Sequence, residues 1–257
     1  MPEGHPIPPQ AESNLHSMAQ KKLVRFAAIE TYPNVLQYPE NMPGNWKDFF
    51  RNDHPITLEL ACGKGEYSLG LGAQNPDRNY IGVDVKGNRI YVGAKKALAE
   101  DRKNVAFLRI QIGHLEAYFA PGEVSEIWIL FPDPFLTKSR AKNRLTHPRF
   151  LAQYEKVLTP GAVIHLKTDS RELYDFTHEV IAEQGCEIVT DYQDIYATGK
   201  ATGPLAIQTH YEKLHIADGR KIYYLAFRLP KSGVVVPERY LHADHRNGKD
   251  LTDESGA

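Results

Sequence analysis

The chain has 257 residues, 42% hydrophobic and 25% charged, which suits one large α/β domain with appendages. Lys and Arg number 31 against 32 Asp and Glu, so bulk charge excludes a general polyanion binder and leaves nucleic-acid contact to local patches. Cys62 and Cys186 are too few and too far apart for a disulfide framework or a zinc cluster, so no metal site is expected. No apolar run approaches the roughly 18 residues of a membrane helix, and the Pro-rich, acidic start lacks a signal-peptide core. The expectation is a cytoplasmic protein with no membrane partner.

Residues 1–20 are Pro-rich and polar and read as a disordered leader, because such a segment buries too little surface to offset its ordering entropy. Lys21, Lys22 and Arg25 then cluster beside Phe26, either as a phosphate contact or as a solvated turn. Pro33, Pro39, Pro43 and Pro55 mark an irregular lead-in with a short helix at Trp46–Phe50. From Ile56 strands and helices alternate. Strand Ile56–Leu60, a glycine turn and a helix to about Ala73 come first, then strand Tyr80–Val85 and a helix near Arg89–Glu100. Strand Val105–Ile110, a short helix at Leu115–Phe119 and strand Ile127–Phe131 follow. Helix Arg149–Val157, strand Ala162–Lys167, helix Arg171–Gln184 and strand Cys186–Asp191 complete the alternation. This spacing predicts a mostly parallel sheet with helices on both faces, in one domain spanning 21–230. Strand Lys221–Leu229 follows a loop and reads as an antiparallel edge partner, and 231–257 as a loose polar tail.

Four constellations could carry chemistry. The first is the glycine turn Ala61-Cys62-Gly63-Lys64-Gly65, where Gly63 and Gly65 let a ligand approach backbone amides at a helix start. Asp84 ends the next strand, where an acid that binds ribose hydroxyls belongs. Gly63-Lys64-Gly65 is followed by Glu66-Tyr67-Ser68, without the third glycine of a dinucleotide fingerprint. Glu59 would repel a pyrophosphate but pair with a cationic methionine end, so S-adenosylmethionine is the better ligand. The second constellation is Asp133 between Pro132 and Pro134 on the carboxyl lip of a strand, followed by Lys138, Arg140, Lys142, Arg144 and Arg149. It reads either as a site for a phosphate-bearing substrate or as a turn Asp before a solvated cationic face. Lys167-Thr168-Asp169 is the third, a second acid on the same edge or an N-cap for the Arg171 helix. Thr209-His210-Tyr211-Glu212 is the fourth and reads as a loop before the last strands.

In this order, from about Lys21 to Arg228, these elements resemble the bacterial tRNA (guanine-N7-)-methyltransferases. The resemblance implies a class I, Rossmann-like methyltransferase fold that uses S-adenosylmethionine to methylate the guanine at position 46 in the tRNA variable loop. It also implies that Glu59 and Asp84 hold the cofactor's methionine and ribose ends and that Asp133 closes the methyl-donor site. Asp169 and Thr209, His210, Tyr211 and Glu212 would hold guanine, while Ser139 to Arg144 would face RNA. Ala61 stands where the family has glycine and tightens the turn. Gln111 stands where an acid meets the adenine, and its amide oxygen can still accept from the adenine amino group. Thr137 stands where a substrate-binding lysine is usual, and Lys138 or Lys142 would supply that charge.

Guanine N7 has a free lone pair and no proton, so its methylation needs no general base. Asp133, Asp169 and Glu212 are the expected catalytic residues, acting as carboxylates that offset the positive charge developing on the purine. A methyltransferase for an exocyclic amine and a non-catalytic RNA-binding subunit are the competing readings. The retained acids count against the second. tRNA is the expected partner, with no obligate protein partner and a monomer or homodimer as the assembly.

Overall fold

A computed structural model describes residue 20 and residues 23–238. The expected leader at 1–19, Lys21, Lys22 and the tail from 239 onward lie outside the described residues. Helix α1 occupies 23–31 and sets Phe26 and Ile29 over Gly87, where an added Cβ would collide with the Phe26 ring at 2.7 Å and the Ile29 Cδ1 methyl at 2.8 Å.

The core is an eight-stranded sheet in the order β1-β4-β3-β2-β5-β6-β8-β7. Its strands are β1 (Val35–Gln37), β2 (Ile56–Leu60), β3 (Asn79–Asp84), β4 (Val105–Arg109), β5 (Val124–Leu130), β6 (Leu158–Thr168), β7 (Glu187–Tyr192) and β8 (Tyr223–Arg228). Strands β1 to β6 run parallel, β8 is antiparallel to β6, and β7 is antiparallel to β8. The α/β alternation therefore produces the mostly parallel sheet that it predicts. Every residue of β2 and β3 is buried, as expected of central strands covered on both faces.

The period of two divides the sheet's side chains into two apolar layers. Leu58, Leu60, Ile127, Ile129, Ile164 and Leu166 pack on one face with α2 (Trp46–Phe50), α5 (Pro148–Val157) and α6 (Arg171–Gln184). Phe107, Trp128, Leu130 and Tyr224 pack on the other with α3 (Glu66–Gln74) and α4 (Gly87–Ala99).

Three expectations change. The lead-in contains β1, which pairs with β4, because Val35–Gln37 fits between prolines as a half-buried edge strand too short to show a period. Strand β8 sits inside the sheet rather than at its edge, and all but its last residue are buried, whereas β7 is mostly exposed and forms the edge. The expected loop around Thr209 is the start of helix α7 (His210–Ala217). Its Thr-x-x-Glu spacing forms a capping box, in which Thr209 accepts from the Glu212 amide and Glu212 accepts from the Thr209 amide.

Candidate active site

From β2 the next strands go to opposite sides, β3 on one and β5 on the other. In such a sheet the crevice at the strands' carboxyl ends binds ligands. Glu59 in β2, Asp84 at the end of β3, Gln111 after β4, Asp133 after β5 and Asp169 after β6 all lie on this edge.

The glycine turn leaves β2 with Ala61, Gly63 and Gly65 at φ +55°, +55° and +62°. Gly65 begins α3 in the left-handed region, and a Cβ there would meet the Phe107 ring at 2.2 Å, so both conformation and space require glycine. Ala61 adopts the same left-handed backbone with a Cβ, which is a strain beyond the mere tightening expected from sequence.

Asp84 is buried and accepts from the Gly63 amide at 2.8 Å and the Lys86 amide at 2.8 Å, which ties the turn to β3. Its remaining lone pairs are available to ribose hydroxyls. Glu59 is 4% exposed and accepts from Ser68 N at 2.7 Å and Ser68 Oγ at 2.5 Å. Burial drives its carboxyl up to about 7, against the pull of the Ser68 hydrogen bonds and with help from the negative charges of Glu66 and Asp84. No Lys, Arg or His of the described residues forms an ion pair with it. A desolvated carboxylate without a cation fits the cationic methionine end of S-adenosylmethionine. Burial pushes the neighbouring Cys62 thiol up, which leaves no ready thiolate nucleophile in this turn. Gln111 is exposed at the end of β4, where it precedes a short 3-10 turn.

Asp133 sits in a strained loop. Phe131 and Phe135 flank it with φ of +46° and +42°, unusual for aromatic residues and the kind of strain that accumulates at working sites. Both ends are fastened, since Phe131 N donates to Lys167 O at 2.8 Å and Arg144 donates to Pro134 O at 2.9 Å and Phe135 O at 3.0 Å. The Asp133 carboxylate is exposed. Thr137, Lys138, Ser139 and Arg140 are exposed as well, with the Arg140 guanidinium 4.8 Å from the Phe135 ring centre, and Lys142 is half-buried. Arg144 departs from the expectation that it faces RNA. It is 8% exposed, lies 4.4 Å over the Phe176 ring and uses its donors on the loop carbonyls.

Asp169 is not the cap of α6, because Ser170 takes that position and accepts from Leu173 N. Its Oδ2 accepts from Arg220 at 2.8 Å and lies 3.5 Å from His215 Nδ1, while its Oδ1 has no partner among the described residues. His215 also lies 5.8 Å from Phe131 between ring centres, which brings Asp169 beside the Asp133 loop. Thr209 is buried in its capping role, whereas His210 and Tyr211 are exposed at the start of α7. The His210 amide donates to Glu66 Oε2 at 2.9 Å, joining α7 to the first turn of α3. Glu212 does not reach this surface. It is fully buried and paired with Lys167 at 2.6 Å.

A protein-family model described as "Putative methyltransferase" matches residues 53–225. The tRNA (guanine-N(7)-)-methyltransferase of Bacteroides thetaiotaomicron is 44% identical over 227 residues, covering 85% of this chain and 89% of that protein. That of Porphyromonas gingivalis is 46% identical, covering 78% of this chain and 86% of that protein. The chain belongs to the tRNA (guanine-N(7)-)-methyltransferase family. Among solved structures, the 16S rRNA methyltransferase KamB covers 77% of this chain and is covered over 99% of its own, at a TM-score of 0.57 and 18% identity, a likeness of fold alone.

The carboxyl edge is supported by side chains that the sequence motifs did not single out. Ser68 holds Glu59, Arg220 holds Asp169 with His215 beside it, and Arg109 holds Val85 O at 3.1 Å and Gln37 Oε1 at 2.9 Å between the Phe26 and Tyr38 rings.

Proposed function

We propose that this chain, an S-adenosylmethionine-dependent tRNA (guanine-N7-)-methyltransferase by family, modifies the guanine at position 46 of the tRNA variable loop. The cytoplasm, where tRNA resides, is the proposed location. The observation that carries the site assignment is the alignment of Glu59, Asp84, Asp133 and Asp169 on one carboxyl edge. S-adenosylmethionine, when bound, supplies an electrophilic methyl on a sulfonium.

Glu59 and Asp84 would hold its methionine and ribose ends, and Gln111 would meet the adenine. Asp133, exposed on a loop fixed at both ends, approaches the reacting centre from the β5 side. Asp169 offers its open Oδ1 to the N1–H and 2-amino group of guanine. As N7 acquires its fourth bond the ring becomes cationic, and a fixed carboxylate on the opposite ring edge stabilises that charge. The pinned loops supply orientation, which replaces proton abstraction as the protein's main contribution. Lys138, Arg140 and Lys142, on one short 3-10 turn after Asp133, contact phosphates.

Cleavage of the product tRNA at 7-methylguanosine tests the position. A tRNA with adenosine at position 46 is expected to take up no methyl, and methylation of that tRNA at another guanine would refute the position.

A further inference from the structure

Lys167 lies on β6 with no exposed surface, yet it carries a charged amine into the core. Its Nζ has three donors and three oxygens receive them: Glu212 Oε1 at 2.6 Å, Leu205 O at 3.0 Å and Ile207 O at 3.1 Å. The amine also sits 5.4 Å from the centre of the Tyr67 ring, whose hydroxyl donates to Pro204 O at 2.5 Å. Glu212 is committed in turn. Its Oε1 accepts from Tyr196 OH at 2.8 Å and its Oε2 from the Thr209 amide at 3.4 Å, so both oxygens are used inside the protein. Every atom in this hub belongs to β6, α3 or the segment 196–212, and the segment leaves it directly as Thr209, His210 and Tyr211 beside the substrate edge.

We propose that Lys167 is a positioning residue for methyl transfer, one that gathers the Leu205 and Ile207 carbonyls and the Glu212 carboxylate and thereby sets where Thr209–Tyr211 stands relative to Asp169. Glu212 then serves as the counter-ion of Lys167 and does not touch guanine. A buried ion pair is weak evidence of stabilisation, since an apolar pair of like size commonly does as well, and breaking one side leaves an uncompensated charge. What an apolar pair cannot do is hold two backbone carbonyls at fixed height, and a displacement of about 1 Å near reacting atoms costs on the order of 10²-fold in rate.

The inference rests on the methyltransferase reading, and the parent enzyme's own methylation of tRNA is the reference that keeps the two separable. The test uses Glu212→Gln, Lys167→Met and the double variant, on tRNA carrying guanine or inosine at the target position. Lys167→Met alone strands the Glu212 charge and is open to misfolding, so the neutral double variant carries the comparison. Cofactor affinity by calorimetry and the far-ultraviolet spectrum are expected to match the parent in Glu212→Gln and in the double variant. In both, kcat is expected to fall about 10- to 100-fold. The double variant is expected to be no slower than Glu212→Gln, because one linked unit is lost once. The preference for guanine over inosine is expected to be unchanged. A parent-like kcat in the folded double variant would overturn the proposal. Loss of the guanine preference in Glu212→Gln would also overturn it, by placing Glu212 on the base's 2-amino group.

Discussion

The carboxyl edge of the sheet has two halves built in different ways. On the half proposed for the cofactor, acids are held mainly by backbone amides of two neighbouring βα units: Gly63, in the turn after β2, and Lys86 hold Asp84, and Ser68 holds Glu59 with its amide and its hydroxyl. On the acceptor half, loops are held by charged side chains, from ten residues away in one case and from distant segments in the others. Arg144 fastens the Asp133 loop, Arg220 reaches Asp169, and Lys167 ties β6 to Leu205, Ile207 and Glu212. A half made of local backbone geometry tolerates side-chain change away from its acids. A half made of side-chain ties is expected to lose its shape when one tie is cut, with cofactor binding unchanged.

The largest effect is expected at Asp169. Its replacement by Asn removes the fixed charge proposed to face guanine and should slow methylation by about 10²-fold or more, the scale of one lost electrostatic contact, while cofactor affinity by calorimetry stays unchanged. A parallel loss of cofactor affinity would erase the division between halves.

Arg144 should behave as a structural tie. Arg144→Met leaves two loop carbonyls without their charged donor and should cost about 1.5 to 3 kcal/mol in denaturant unfolding, with little change in the salt dependence of tRNA binding. Neutralising Lys138 and Arg140 should do the reverse, flattening the log-log salt slope by up to about 2 with stability unchanged. Equal salt slopes in the two sets would show that the basic run acts as one surface.

Glu59 gives the cofactor half a pH signature. Its carboxyl titrates at about 7 in the free protein, and a bound cation favours the charged form, so binding below that pH requires loss of a proton. Affinity for S-adenosylmethionine should be level above neutrality and fall as pH drops below about 7, by up to about tenfold per unit. Calorimetry across pH 5.5 to 8 checks this, and Glu59→Gln should flatten the profile while weakening binding at its upper end. The smallest effect is at Ala61, where glycine relieves a left-handed alanine at the expense of a more flexible unfolded chain. A net gain of about 0.5 to 1 kcal/mol in unfolding free energy is expected.

How much of this was legible follows the same division. Short apolar and β-branched runs with glycine punctuation located β2 to β6 and the glycine turn, because central strands such as β2 and β3 are buried on both faces and the units joining them are short and local. The place of β8 between β6 and β7 was hidden, since adjacency across a sheet is set by pairing and not by chain order. The capping box at Thr209 and Glu212 was written in the sequence as Thr-x-x-Glu and marks a helix start where a loop was expected. Arg144 read as a phosphate ligand because its neighbours Lys138, Arg140 and Lys142 are basic. Nothing in a run of cations distinguishes the one that turns inward to meet carbonyls ten residues back.

The most direct test is nucleoside analysis of tRNA by mass spectrometry after incubation with methyl-labelled S-adenosylmethionine and either the parent enzyme or Asp169→Asn. 7-Methylguanosine is the expected labelled product in both, formed about 10²-fold more slowly by the variant. Label on an exocyclic amine, or equal rates in the two proteins, would contradict that expectation.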